Sequence, residues 1–334
     1  MADRMLTLAE VHALARRALE GAGARGIQLD QAALSILEAE ADGIRVVGLA
    51  YLPTYCAHLQ CGKVKGDAKP THRQVAPAAI LSDADNGFSH AAFHEAMDDF
   101  HALAKRQAVA ALAIRHSSSA GVVGWFVERT ARAGLLGLGF ANSSSLMAAW
   151  GGRTPFFGTN PIAYAVPRQD NPPLVVDMAT SQVAWVTVKR HMEEGKPIPL
   201  GWGLDAEGRY TTDPAQVING GSMGPAGGYK GALLALLVDV LAGGIAGPHF
   251  AYQASPFGNA EGGPPDVGQL FLAISPDAFG EGFGPRLEAM LAAMVSDPGV
   301  RLPGDSRHAH REKAERHGVA VPEDLIATLD AYAQ

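Results

Sequence analysis

The stretch from Ala133 to Gln182 decides the fold. It reads AGLLGLGFANSSS over residues 133–145, AAWGGRTPFFGTNPIAYAVPR over 148–168 and PLVVDMATSQ over 173–182. Leu135–Ala141, Ile162–Val166 and Leu174–Val176 are short aliphatic runs of the kind that form buried strands. Each run is flanked by glycines and small polar residues. Asn142 to Ser145 close the first, Gly158, Thr159, Asn160 and Pro161 lead into the second, and Asp177, Ala179, Thr180 and Ser181 close the third. Such turns expose backbone N–H groups and let a ligand approach the main chain closely. Any one of them alone reads as an ordinary turn; three on adjacent strands read as a cofactor cradle. Asn160 precedes a proline, which favours an extended backbone there.

Outward from this core, the composition sets limits. The chain has 334 residues, 47% hydrophobic and 18% charged, with a formal net charge of −7. A core of that size suits two domains, or one core with a helical annex. The acidic balance argues against nucleic acid as a partner, since a phosphate-binding surface needs a basic excess. Two cysteines, Cys56 and Cys61, suit neither a zinc motif nor a disulfide scaffold, and read as thiols of a cytoplasmic protein. The run Gly231–Gly247 is interrupted by Asp239 and paired glycines, so a buried helix ending near Gly243 is expected rather than a membrane span.

On the N-terminal side, Thr7 and Glu10 form a capping box opening a helix to about Glu20. Gly21, Gly23 and Gly26 fit the spacing of a dinucleotide fingerprint, but a helix precedes them instead of a strand, so they read as a helix–helix turn. Asp30 is expected to cap a second helix to Asp42, and a third covers Tyr51–Cys61. Residues 62–77 read as an extended surface connection. In the helix Ser89–Gln107, His90, His94, Asp98 and His101 share helical spacing, which fits either a metal site or a polar face; no metalloenzyme motif surrounds them, and no metal is assigned. Strand Ala108–Ile114 ends in Arg115-His116-Ser117-Ser118-Ser119-Ala120-Gly121 before a helix, a phosphate-type turn or a plain serine cap.

On the C-terminal side a helix runs from Ser181 to Glu194, followed by a hairpin-like turn at Glu207-Gly208. Gly220–Lys230 is glycine-dense but lacks a Walker pattern. Lys230 is either an anion contact or a snorkelling lysine at a helix start. A last strand, Gln269–Ile274, precedes helices near Pro285–Met294, Arg307–Arg316 and Pro322–Tyr332.

WGGRTPFFGTNPIA, VVDMATSQVAW, GWGLDAEGRYTTDP, GGYKG and LPGDSRHAHRE together resemble the type-2 malate/L-lactate dehydrogenase family over nearly the whole chain. GPHFA followed by VGQLFLAISP is most similar to its ketimine-reductase branch. The resemblance implies an α/β (α+β), non-Rossmann NAD(P)-binding fold with a mixed, largely antiparallel sheet. It implies a helical domain from residues 1–107 plus 285–334, a sheet domain from 108–284, and a homodimer. Carried over by position, NADPH or NADH would contact Ser117, Ser118, Ser119, Ala120 and Gly121; Asn142 and Ser143; Thr159, Asn160 and Pro161; Asp177, Met178 and Ala179; Lys230; and Gly304, Asp305, Ser306 and Arg307.

The departures bear on chemistry. The family pattern Ser-His-Gly, with an arginine three residues past the glycine, is Val46-Val47-Gly48 and Tyr51 here. Its Asn-Ser-x-His-Phe-Gly turn is His116 to Gly121, with Ser119 at the histidine position. Both usual acid–base histidines are therefore replaced. A ketone accepting hydride needs a proton donor, typically worth roughly 10²–10⁴ in rate. An iminium already carries its charge and becomes a neutral amine directly, so no oxyanion needs stabilising. The expected reaction is thus hydride transfer from nicotinamide C4 to a C=N bond of a cyclic or N-substituted imine, with Tyr51, His116 and Lys230 as the catalytic candidates. The alternatives are a 2-oxo acid/2-hydroxy acid dehydrogenase with relocated acid–base groups, and a catalytically silent relative that binds cofactor or a partner.

Overall fold

The computed structural model describes residues 3–333. Its centre is a seven-stranded sheet in the spatial order Thr71–Ala76, Ala79–Asp83, Val109–Ser117, Val267–Ile274, Leu136–Ala141, Ile162–Val166 and Leu174–Met178. Only Ala79–Asp83 and Val109–Ser117 run parallel; the other pairs are antiparallel. The sheet is therefore mixed and largely antiparallel, as the sequence implies. The late strand Val267–Ile274 takes the middle because it is almost wholly apolar, and all its residues but Leu272 and Ile274 are buried.

Helices Ser89–Gln107 and Gly124–Arg132 cover one face, burying Phe93, Phe100 and Phe126 against Leu112, Ile114 and Phe271. The other face meets Val238 and Ala242 of the apolar helix, which pack on Phe140 and Leu270. That helix runs from Tyr229 to Val238 and continues as wide turns to Ala246, past the expected end at Gly243. A smaller five-stranded sheet includes Met147–Ala148, Gly203–Leu204 and Ser222–Met223.

Both chain ends build a helical unit, with Leu14, Leu19, Ile36, Leu52, Ile326 and Leu329 in one core. Asp3–Leu6 pairs antiparallel with Val319–Pro322, tying the ends together. The capping box is present, with Thr7 N–H donating to Glu10 Oε2 at 2.7 Å and Glu10 N–H to Thr7 Oγ1 at 3.2 Å.

Three expectations shift. Asp30 does not cap the second helix, which begins at Gly26 after Arg25; it lies inside that helix and pairs with Arg16. Residues 71–83 are a hairpin on the sheet edge, whose polar outer strand THRQVA has no apolar alternation to announce it. With Ser89–Gln107 also packed on the sheet, the sheet unit reaches back well before residue 107. At the other end, Phe283–Val295 packs through Leu287 and Leu291 on Leu174 at the sheet edge.

Candidate active site

A cavity of about 780 Å³ opens where the helical unit meets the sheet. Its first wall is the pair of tight turns Arg45–Val47 and Leu49–Tyr51 and the helix they enter. These contribute Val46, Val47, Ala50, Tyr51 and Thr54. The turn between them is held from behind. Leu49 N–H donates to Glu40 Oε1 at 2.7 Å, and a Cβ at Gly48 would stand 2.4 Å from that same oxygen. A side chain at 48 would push the Glu40 carboxyl off this bond. Burial pushes the Glu40 carboxyl above the usual carboxylate range.

The second wall is the turn after Val109–Ser117, which contributes Ser119, Ala120 and Gly121. Ser119 Oγ accepts from Gly121 N–H at 3.3 Å. The hydroxyls of Tyr51 and Tyr55 both meet the Ser119 side chain. Burial pushes the Tyr51 phenol up to about 12 and raises that of Tyr55 as well, so both stay neutral across the physiological range.

The third wall comes from the sheet turns, with Asn142, Ser143, Ser144, Thr159, Pro161 and Ala179. Asn142 is a hub. Its Nδ2 donates to Asp239 Oδ1 at 3.2 Å and to His249 O at 2.9 Å, and its Oδ1 accepts from Gly268 N–H at 3.1 Å. Asn160 is not extended as expected: it sits at φ +36°. Asparagine tolerates that region, and its side chain fixes it there. Nδ2 donates to Ala235 O at 2.9 Å, and Oδ1 accepts from Ser143 N–H at 3.3 Å. A Cβ at Gly158 would lie 2.2 Å from Ser143 Oγ. Ser118 Oγ and Ser143 Oγ are buried without a protein partner. Unpaired hydroxyls, close-approach glycines and backbone turns fit a phosphorylated dinucleotide.

The expected residues thus separate into groups. Tyr51, Val46, Val47, Ser119, Ala120, Gly121, Asn142, Ser143, Thr159, Pro161 and Ala179 line one cavity. Ser117, Ser118 and Asn160 are buried behind it, with Ser117 Oγ 2.8 Å from Gln269 Oε1.

His116, at φ +50°, is turned to Asp83, its Nδ1 2.9 Å from Oδ2, and does not line the cavity. Although partial burial pulls the Asp83 carboxyl up, the Asp85 N–H and His116 hold it below its ordinary value. Lys230 is exposed in the first turn of its helix, and Met178 is half exposed; neither lines the cavity. Asp177 accepts from Gly124 N–H at 2.8 Å and stands 3.8 Å from Arg307. With Gly304, Asp305 and Ser306 at the head of the helix Asp305–His317, this pair clamps the sheet to the C-terminal helix. Burial raises the Asp177 carboxyl. His90 stacks on Phe126 at 5.0 Å and is held neutral by burial, down to about 3, while His101 meets Thr130 Oγ1 at 3.1 Å. Both serve the core.

Two walls escaped the sequence reading. Helix Trp185–Glu193 contributes Trp185, Lys189 and Met192, a stripe at helical spacing that could have been found. The loop with Ala254 and Pro256 to Asn259 gave no signal. It is held by Lys63, 1% exposed, whose Nζ donates to the carbonyls of Pro256 at 2.6 Å, Asn259 at 3.2 Å and Glu261 at 2.6 Å.

The chain is similar to known proteins over nearly its whole length. The malate/L-lactate dehydrogenase family profile matches residues 6–330. The (2R)-3-sulfolactate dehydrogenase (NADP(+)) of Chromohalobacter salexigens is 44% identical over 99% of this chain and 98% of its own. The Δ1-pyrroline-2-carboxylate reductase of Ancylobacter novellus is 37% identical over 98% of this chain and 96% of its own. Among solved structures, the Δ1-piperideine-2-carboxylate reductase of Pseudomonas syringae superposes with a TM-score of 0.93 at 32% identity, covering 98% of this chain and 99% of that one.

Proposed function

The chain belongs to the malate/L-lactate dehydrogenase family, and from that premise we propose that it reduces the C=N bond of an imine or iminium with NADPH. It is an NAD(P)-dependent oxidoreductase, in keeping with its dehydrogenase and reductase relatives. The observation that carries the C=N reading is the first wall. Where an acid–base pair would stand, the cavity presents the side chains of Val46 and Val47.

The cofactor, when bound, supplies the hydride. The turns 119–121, 142–144 and 159–161 would hold it, offering backbone N–H groups and the unpaired Ser143 hydroxyl. Val46, Val47 and Ala50 present an apolar surface on the opposite side. Tyr51, neutral below about pH 12, offers one hydrogen-bond donor. An iminium needs no more than that, because the C=N π pair moves to nitrogen and cancels its charge.

Assays of NADPH oxidation with cyclic imines, pyruvate and oxaloacetate test the reading. Imine turnover without oxo acid turnover is expected; the reverse would overturn it. The second reading, a 2-hydroxy acid dehydrogenase, is favoured by the 44% identity to a sulfolactate dehydrogenase, and the same assays decide it. NADPH binding with no turnover of either class would leave a cofactor-binding relative.

The chain is further proposed to work in the cytoplasm as a homodimer. Support comes from the outer face of the helix Tyr229–Ala246, where Leu233, Leu236, Leu237, Val240 and Ile245 are exposed together while Ala235, Val238 and Ala242 are buried against the protein. A monomer by sedimentation at micromolar concentration would contradict the dimer.

A further inference from the structure

We infer that the substrate carries no free carboxylate on its reacting carbon; it is an imine or iminium whose C=N carbon bears hydrogen, an alkyl or aryl group, or a neutral acyl derivative. The inference rests on the C=N reading and adds the substrate class to it.

The cavity's charge is the starting point. Among the described residues that line it, Lys189 alone is charged. The wall facing the substrate, Val46, Val47, Ala50, Tyr51 and Thr54, offers no cation. Tyr51, where the family pattern has an arginine, is a neutral phenol that can give one hydrogen bond and no compensating charge. Behind this wall Glu40 Oε1 accepts from Leu49 N–H, with Arg45 of the adjoining turn close enough to act on its carboxyl, and neither residue lines the cavity. Lys189 has a side chain 58% exposed and lies 3.8 Å from Glu193. It is a solvated lysine already facing an anion, unlike a buried, bidentate carboxylate anchor.

A carboxylate brought against Val46 and Val47 would lose its water and gain no ion pair, which costs affinity heavily. The relatives' names describe anionic substrates, a 2-carboxylate in one case and a sulfolactate in the other. This chain keeps their fold and lacks, at the corresponding wall, the charge such substrates call for. A neutral substituent, by contrast, gains from the two valines and from Trp185 and Met192 across the cavity.

The test uses the intact protein with NADPH. The kcat/KM for 2-methyl-1-pyrroline and Δ1-piperideine is compared with that for Δ1-pyrroline-2-carboxylate and Δ1-piperideine-2-carboxylate. The imines without a carboxylate are expected to be preferred by roughly 10²-fold, the scale of an unpaired buried charge. Tyr51→Arg is expected to narrow that gap at least tenfold.

Binding provides a second readout that needs no turnover. Tryptophan fluorescence of the NADP(+) complex should respond to 2-methylpyrrolidine at lower concentration than to L-proline. Preference for the carboxylate-bearing imine or amine overturns the inference, and its loss in Lys189→Met would show that Lys189 anchors the acid after all. If no imine is consumed yet 2-methylpyrrolidine still binds better than L-proline, the C=N reading fails and only the preference for a ligand without a carboxylate stands.

Discussion

The two sides of the cavity differ in what they are made of. On the sheet side, the surface is backbone and small side chains, each fixed by buried partners. Asn142 bridges Asp239, His249 and Gly268; Asn160 bridges Ser143 and Ala235. A change in any of these leaves buried polar groups unpaired. On the helical side, Val46, Val47, Ala50 and Tyr51 project from two single turns whose backbone is held by Glu40 from beneath. Their side chains can be exchanged while the turn stays in place. On the proposed reading, the sheet side keeps the cofactor contacts while the opposite wall is free to change the reaction.

The sharpest way to break that contrast is to rebuild the wall. The triple variant Val46→Ser, Val47→His, Tyr51→Arg restores a donor pair and a cation on unchanged turns. Reduction of 2-oxo acids is expected to rise by ~10²-fold or more, the span that a positioned general acid contributes, while the dissociation constant for NADPH stays within about twofold. Absence of any oxo acid turnover in a folded variant would show that the wall does not set the reaction.

The converse change is made in the cradle. Gly158→Ala puts a methyl group 2.2 Å from Ser143 Oγ and 2.4 Å from Ser143 O. Neither the backbone nor the buried hydroxyl can yield cheaply, and overpacking of this kind costs about 1–3 kcal/mol. NADPH affinity, followed by nicotinamide fluorescence, should fall ~10-fold, with the same loss for every substrate. Unchanged affinity would mean that this turn does not touch the cofactor.

How far the sequence disclosed these two sides follows from the same difference. The sheet-side turns were legible because their requirements are local. Gly121, Gly158 and the polar residues after each strand stand next to the runs they terminate. The wall was legible only as an absence, Val46-Val47 against an expected Ser-His. His116 and Lys230 fall outside the lining of the cavity for a related reason. A polar residue beside a turn signals the turn, but its direction depends on φ, and at +50° His116 swings to Asp83. The steric rule for a residue before proline failed at Asn160 because two tertiary hydrogen bonds outweigh a local preference. The outer hairpin strand Thr71–Ala76 was missed because edge strands carry polar residues on both faces.

The loop 254–259 sharpens the comparison further, since it belongs to neither side and is held chiefly by one amine. Lys63 lies in a polar stretch, Gly62-Lys-Val-Lys-Gly66, where nothing distinguishes it from the exposed Lys65. Yet its Nζ is caged by the carbonyls of Pro256, Asn259 and Glu261, and His58 Nε2 meets Asn259 O at 3.0 Å. Burial lowers the amine's proton affinity from the ordinary lysine range, which the nearby Cys61 and Glu261 groups partly offset. Lys63→Met keeps the stem's packing and removes every donor, leaving the three carbonyls without their shared partner. Because the loop shapes the cavity without supplying a reacting group, KM should rise about three- to tenfold while kcat changes less than about twofold, and amide exchange across residues 254–261 should quicken. Lys63→Arg should not rescue it, since a planar fork does not match three carbonyls converging on one point. Equal losses in kcat and unchanged exchange would place the loop's anchor elsewhere.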